Sequence, residues 1–508
     1  MMMQSVSRPK LIKNIVILGG GTAGWMTAAA LSKALKPDNI QIKLVESEQI
    51  GTVGVGEATI PHIRTFNSLL GISESEFMQA TEATFKLGIQ FKGWGNKDSD
   101  YFHPFSDFGE AYQQINFQNL YLKAKQAGLK LPFDNFSTAI AASREKKFCF
   151  AQNLPPPLLN NYSYAYHLNA TAYARFLRQY SEQRGVKRVE GKVTAIKTKL
   201  PDGDICSLTL DNGKTVAGEL FIDCSGFRAL LIGQLLKSDY QDWSHWLKCD
   251  SAIAIQSPLH SSPHPYTQAI AHQAGWYWHI PLQTRCGNGI VYSSQYLSDQ
   301  QALVQLQAKI GLSKNARING PIRFRPGVRQ RAWVKNCIAI GLSSGFLEPL
   351  ESTSIHLIQA SIFKLIELMP ADNQFALARA EYNRLINYEY NTVRDFIILH
   401  YYLNQRKEAF WQDCQSIDIP DSLKHKIETF KLTGILTENQ QGLFFKPSWQ
   451  SVLFGQGLTP KQTDPRADLM TNQQALDFVL RYLDKQDETV RQMPGHDCWL
   501  NQIGVMRQ

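Results

Sequence analysis

The chain has 508 residues, 44% of them hydrophobic and 19% charged, a composition that fits a folded protein of more than one lobe and excludes a largely disordered one. No run of about 18 apolar residues occurs, so nothing in the sequence reads as a membrane span. The formal charge of +9, from 53 Lys and Arg against 44 Asp and Glu, is dispersed; it suits solubility and attraction for anionic cofactors and halides better than nucleic acid.

Residues 1–14 are polar and basic and run straight into an apolar strand. A signal peptide would have to include that strand, so a cytoplasmic location is expected. The eight cysteines form no C-x-x-C and read as thiols of a reducing compartment. The twelve histidines show no H-E-x-x-H or similar spacing, and no protein-bound metal is expected.

In chain order, residues 14–25 come first, reading NIVILGGGTAGW. Four apolar residues make a short buried strand, then Gly19-Gly20-Gly21-Thr22-Ala23-Gly24 fits G-x-G-x-x-G, then an apolar helical run follows. That order of strand, glycine turn and helix is the context of a dinucleotide site. Gly19 makes the tight turn, Gly21 lets a pyrophosphate approach the backbone, and Gly24 lets helix pack on strand. The N–H groups of Thr22 and Ala23 open the helix and face the phosphates. A second apolar run, 40–45, ends in Glu46, placed to bond ribose hydroxyls of an adenosine without a 2′-phosphate.

Residues 47–61, SEQIGTVGVGEATIP, are too glycine-rich for a helix or an ordinary strand; they imply a flexible loop close to a ligand. Residues 63–89 read as amphipathic and helix-like, carrying Lys86 in an apolar setting. Residues 92–165 are aromatic and irregular, and look like a pocket-shaping insertion, not a core element. A helix is expected over 170–183, strands over 186–200 and 205–212, and a hairpin turn at Asp211-Asn212-Gly213. Buried strands at 220–224 and 337–340 each run into a glycine turn. Strands are also expected at 250–256 and 276–292, and helices over 353–369, 373–404 and 473–491. The fold class is therefore α/β with α+β elaboration.

Three separated strand-to-glycine turns fit FAD better than NAD, which needs one. Gly341-Leu342-Ser343-Ser344-Gly345 also matches the G-x-S-x-G elbow of hydrolases, but the helical tail offers no Asp and His in the strand-end loops such an enzyme requires. Residues 276–281 read WYWHIP. In a strand, i and i+2 face one side, so Trp276 and Trp278 place two indoles on one face, stacked into a rigid wall.

W-x-W-x-I-P together with the opening glycine motif strongly resembles the flavin-dependent tryptophan halogenase family. Residues 54–61, GVGEATIP, look like that family's strap between flavin and substrate sites. Phe85-Lys86 matches the position of its catalytic lysine, His103-Pro104-Phe105 the rings that sandwich the substrate indole, and residues 348–353, EPLEST, the segment carrying its catalytic glutamate, here Glu351. Coverage runs from about residue 14 to 460 with the motifs in order.

The resemblance implies a FAD-binding, Rossmann-like flavin monooxygenase/halogenase fold. Residues 1–370 would be the FAD module, with the insertion around 92–165, and 371–508 a mainly helical substrate-side lobe. It implies further FAD contacts at Gly56, Glu57, Ala58, Val193, Leu342 and Ile355, and a possible homodimer. Reduced FAD from a separate NAD(P)H-dependent reductase would react with O₂ and halide, chloride or bromide, to give hypohalous acid. The halide would sit on the N–H groups of Thr353 and Ser354 at a positive helix end. The family often carries glycine at the second position; Ser354 still supplies an N–H. Trp276, Trp278, Ile280 and Pro281 would keep organic substrate from the flavin. Lys86 would hold the oxidant by hydrogen bonding or as a haloamine, and Glu351 would stabilise the arenium cation and take its proton. Read without the resemblance, Lys86 would be a snorkelling surface lysine and Glu351 a helix-start acid.

One stretch departs from the members that act on free tryptophan. Their aromatic run before the final G-x-G carries acid and tyrosine groups for the amino-acid ammonium. Here the run is residues 444–449, FFKPSW, and Lys446 brings a cation where an anion is wanted. The expected substrate is tryptophan or, in preference, an indole-like arene lacking the amino-acid end, lined by His103, Phe105 and Trp449. A flavin hydroxylase and a non-catalytic FAD-binding protein are the competing readings. Neither explains W-x-W-x-I-P, Lys86 and Glu351 together.

Overall fold

The computed structural model describes residues 12–35, 40–50, 57–159, 161–259, 261–312, 320–369, 375–436 and 442–504. Asn14–Leu18 is apolar after its first residue and buried on both faces, as the central strand of a parallel sheet must be. It pairs in parallel with Gln41–Glu46 on one side and Leu220–Asp223 on the other. Cys337–Ala339 and the antiparallel edge strand Trp333–Val334 extend one flank, and Lys187–Glu190 the other. The helix Thr22–Ala34 packs against Ala170–Gln183 and Ser354–Glu367. This is the expected Rossmann-like half, and its glycine turns lie at the carboxyl ends of neighbouring strands.

The second half of the architecture is a seven-stranded sheet. Its order is Ile322–Arg323, Ser251–Pro258, Arg285–Tyr292, Gly275–Pro281, Thr267–His272, Gly88–Lys92, Asp100–Pro104. A small sheet, Glu57–Ala58, Ala165–Leu168 and Thr84–Lys86, connects the two halves. The long helix Ala376–Tyr402 packs His400 against Phe91 and Tyr101 of the large sheet, and one apolar cluster takes in residues from Ile12 to Leu500.

Two local expectations change. The stretch 63–89 is not one helix-like unit: His62–Leu70 ends at Gly71 in the left-handed region (φ 76°), and Ser73 caps Glu74–Thr81 by accepting from the Glu76 N–H. The chain then turns extended, so Lys86 stands on a strand. Gly88 lets the following strand pair this closely with its neighbour, because a Cβ there would come 2.5 Å from the carbonyl oxygen of His103 and push that strand away. The segment 92–165 is not wholly irregular either. Asp100–Pro104 is the edge strand of the large sheet, and Phe108, Phe117, Phe133 and Phe136 form a separate apolar cluster with Ala467, Val479 and Tyr482 from the C-terminal region.

Candidate active site

The turn after the first strand is shaped for a dinucleotide. Gly19 has φ 116°, and a Cβ on it would lie 2.2 Å from the carbonyl oxygen of Cys224, where the parallel neighbour ends. A Cβ on Gly24 would lie 1.8 Å from the Gly19 carbonyl, so only glycine lets the helix begin this close to the strand. The helix has no side-chain cap at Gly21, which leaves its first N–H groups, those of Thr22 and Ala23 among them, open to an anion. Glu46 ends the second strand: Arg188 Nε donates to its Oε1 at 2.5 Å, and Trp25 Nε1 approaches Oε2 at 3.3 Å. The second turn enters at Cys224, whose N–H donates to Leu18, and the third at Gly341, packed over Ala23. These features fit an FAD.

Leu342 sits in that third turn and is part-exposed, whereas Ile355 is buried in the core. Val193 packs beside the core group of Leu18 and Val45. Gly56, with Gly54 and Val55, lies outside the described residues. Glu57 and Ala58 pair antiparallel with Leu168 and His167. The end of the strap and the lysine strand therefore flank one shared partner strand.

Lys86 is fully buried. Its Nζ donates to the Thr59 carbonyl at 3.0 Å and to Ser352 Oγ at 2.7 Å, and stands 5.2 Å from the Phe105 ring centre. Burial pushes its pKa down to about 7, opposed by the charge of Glu351. Thr59 is itself held in place: its N–H and Oγ1 both donate to the Tyr166 carbonyl, and its Oγ1 accepts from the Tyr166 N–H. Ser352 occupies the left-handed region at φ 59°, between the short turn Pro349–Glu351 and the helix Ser354–Glu367. That one bend aims Ser352 at the lysine and Glu351 into the neighbouring pocket.

Glu351 lies between two buried imidazoles. Its Oε2 is 2.6 Å from His103 Nδ1 and its Oε1 2.8 Å from His400 Nε2, the latter off the line of a well-aligned N–H bond. Burial alone would raise its pKa; the two imidazoles outweigh that and hold the carboxyl down at about 2. Two residues along, Thr353 is buried with no partner for its Oγ1 among the described residues, and it opens the helix at Ser354 without a side-chain cap.

The expected pocket residues converge. The His103 ring meets Phe105 at 6.4 Å between centroids, Phe396 at 5.4 Å and Phe444 at 5.9 Å. Trp449 joins through Phe396, at 5.1 Å, and its Nε1 donates to the Phe444 carbonyl. Pro104 pairs with Gly88, and the Phe105 N–H donates to the Leu87 carbonyl, which sets the pocket strand beside the lysine strand.

Trp276 and Trp278 share a face as expected, but they are not stacked: the rings are inclined at 58° with centroids 6.2 Å apart. The reason is cross-strand. Trp276 Nε1 donates to Glu348 Oε2 at 2.8 Å, while Trp278 lies over Gly289, where a Cβ would come 2.0 Å from the indole. Ile280 and Pro281 continue the buried strand, and the Pro281 carbonyl accepts from Thr84 Oγ1.

Sequence reasoning assigned no role to Phe396, His400, Glu348 and Ser352. A signal existed for the first two: they are four apart in an apolar helical stretch and so share a helix face. Among the described residues, no group of His, Cys, Asp and Glu is arranged to hold a metal, and no helix is long and apolar enough to cross a membrane.

The family model for tryptophan halogenase matches residues 14–472. Tryptophan 6-halogenase SttH of Streptomyces toxytricini is 36% identical over 480 residues, covering 89% of this chain and 90% of that protein. Xcc4156, a flavin-dependent halogenase from Xanthomonas campestris, superposes with a TM-score of 0.93 at 45% identity, covering 97% of this chain and 99% of its own. BrvH, a flavin-dependent halogenase from Brevundimonas sp. BAL3, gives a TM-score of 0.93 at 41% identity, with 98% and 99% covered. The fold is that of a flavin-dependent halogenase, an oxidoreductase that uses FAD and a halide. The chain belongs to the tryptophan halogenase family.

Proposed function

We propose that this enzyme halogenates an indole-like arene lacking the amino-acid end, with FAD reduced by a separate reductase. The observation that carries the reading is the buried Lys86, held by Thr59 and Ser352 beside Glu351 and an aromatic pocket. Bound reduced flavin, with O₂ and halide, supplies hypohalous acid. The open N–H groups at Thr353 and Ser354 hold the halide. The inclined indoles, fixed by Glu348 and Gly289, exclude arene from the flavin side. Lys86, two of whose N–H groups are already donated, offers the third to the oxidant. The charge of Glu351 stabilises the arenium cation.

Residues 371–508 supply Phe396, His400, Phe444 and Trp449, which supports their role as the substrate-side lobe. Within it Lys426 Nζ stands 4.4 Å over the Trp449 ring, and Lys446 opens the helix that carries this tryptophan. Lys426 faces Asp395 and Lys446 faces Asp464; the rings of Phe105, Phe396, Phe444 and Trp449 around His103 are what favour an arene without the amino-acid end over tryptophan.

Mass spectrometry of indole incubated with reduced FAD, O₂ and bromide or chloride tests the reading. A product with a halogen isotope pattern is expected, at a higher kcat/KM than with free tryptophan. A gain of one oxygen would make the enzyme a hydroxylase, and a preference for tryptophan would overturn the substrate assignment.

A further inference from the structure

The hydrogen bonds around Glu351 define which atoms carry protons. Gln456 Nε2 donates to Tyr101 Oη at 3.1 Å, so the phenol turns its own hydrogen to His400 Nδ1, 2.9 Å away. His400 therefore carries its hydrogen on Nε2, the nitrogen facing Glu351 Oε1. Gln456 also donates to the His400 carbonyl, at 2.9 Å, which fixes the chain end to end. On the other side Glu351, an anion that can only accept, receives the hydrogen of His103 Nδ1. In neutral His103 the lone pair then lies on Nε2. Among the described residues the hydrogen bond of the His103 ring is the one from Nδ1, which leaves Nε2 open; the side chain is 4% exposed and its ring borders Phe105, Phe396 and Phe444.

We propose that His103 Nε2 is the base of the halogenation step, with Glu351, His400 and Tyr101 as the buried chain that sets its tautomer and balances its charge. This rests on the functional reading above. The arene carbon attacks the halogen of hypohalous acid, forming the C–X bond and breaking the O–X bond. The oxygen leaves as water, taking a proton from the Lys86 ammonium. The C–H bond of the arenium cation then breaks, its electron pair restores the aromatic ring, and the proton goes to His103 Nε2. The imidazolium is stabilised by Glu351, and its proton returns through water to Lys86, so ArH and HOX give ArX and H₂O. A carboxylate gripped by two imidazoles is a poor proton acceptor, and an imidazole oriented by a buried carboxylate is a good one. The proton-acceptor role expected of Glu351 thereby moves one hydrogen bond along.

Single-turnover halogenation of indole, protiated against deuterated at the carbon that is substituted, tests this. His103→Gln keeps a donor for Glu351 and removes the basic nitrogen. It should slow halogenation by about 10²-fold or more and expose a primary isotope effect absent from the wild type. His103→Gly should be rescued by added imidazole, and Glu351→Gln should not. Indole affinity, followed by tryptophan fluorescence, separates loss of chemistry from loss of the pocket. An unchanged rate in His103→Gln, or an isotope effect appearing only in Glu351→Gln, would overturn the assignment. Absence of any halogenated product from the wild type would overturn the functional reading itself, and this inference with it.

Discussion

The backbone N–H of Phe85, the residue before Lys86, donates to Nε2 of His496 at 3.2 Å, across 411 positions of sequence. The other nitrogen of that imidazole, Nδ1, donates to the Pro263 carbonyl at 2.7 Å. The ring is therefore neutral, and the last helix, His496–Gln502, holds the register of the lysine strand.

This tie makes stability acid-sensitive. Burial pushes the His496 pKa down from 6.5 to about 4. A folded value below the unfolded one means the stabilisation is complete above pH 6.5 and is lost as the pH falls towards 4, by roughly 3 kcal/mol. His496→Phe should lose about 1–3 kcal/mol at neutral pH by orphaning the Phe85 N–H, and should flatten that acid loss. Urea unfolding at several pH values checks both. A variant as acid-sensitive as the wild type would show that other groups carry the effect.

Lys86 should give halogenation its own pH dependence. With a pKa of about 7, the ammonium that donates to the oxidant is lost as pH rises through neutrality. Halogenated product per flavin oxidised should then fall between about pH 6 and 9 while flavin oxidation continues. Ser352→Ala removes the acceptor 2.7 Å from Nζ and should move the midpoint to lower pH. Lys86→Met should abolish halogenation and leave flavin oxidation. A yield that does not change with pH would argue against the ammonium as donor.

Glu348 acts on stability in the opposite sense to His496. Burial raises its pKa from 4.5 to about 7, although Tyr401 and Trp276 donate to its Oε2. The stabilisation is therefore fully present below pH 4.5 and is lost as the pH rises through about 7. Glu348→Gln, neutral throughout, should gain on the wild type by roughly 2–3 kcal/mol between acid and mildly alkaline solution. Denaturant midpoints for the two proteins should converge in acid and separate above neutrality; a constant gap would refute the assignment.

Flavin affinity should depend on Gly24 more than on other helix-end glycines. Gly24→Ala places a methyl 1.8 Å from the Gly19 carbonyl and must open the turn. A tenfold or greater loss of FAD affinity, about 1.4 kcal/mol, is expected by fluorescence titration. Gly71→Ala, at φ 76° but in open space, should cost stability without moving that affinity.

The two kinds of information divide along sequence distance. The strand, glycine turn and helix at residues 14–34, the hairpin at Asp211-Asn212-Gly213 and the shared face of Trp276 and Trp278 were all legible, because each depends on spacing within a few residues. The stretch around Lys86 was misread as helical, because its periodicity carries no mark of Gly88 lying against a strand formed by residues 100–104. The opening glycine motif with GVGEATIP, Phe85-Lys86, HPF, WYWHIP and EPLEST was enough to identify the family. Tertiary structure alone decided what those residues touch: Ser352 on Lys86 across 266 positions, His103 on Glu351 across 248, and His400 beside the same carboxylate. Local propensity acts over a turn or two of chain. Burial, which moves the pKa of Lys86 down and that of Glu348 up, exists only once the large sheet and the long helix have closed on each other.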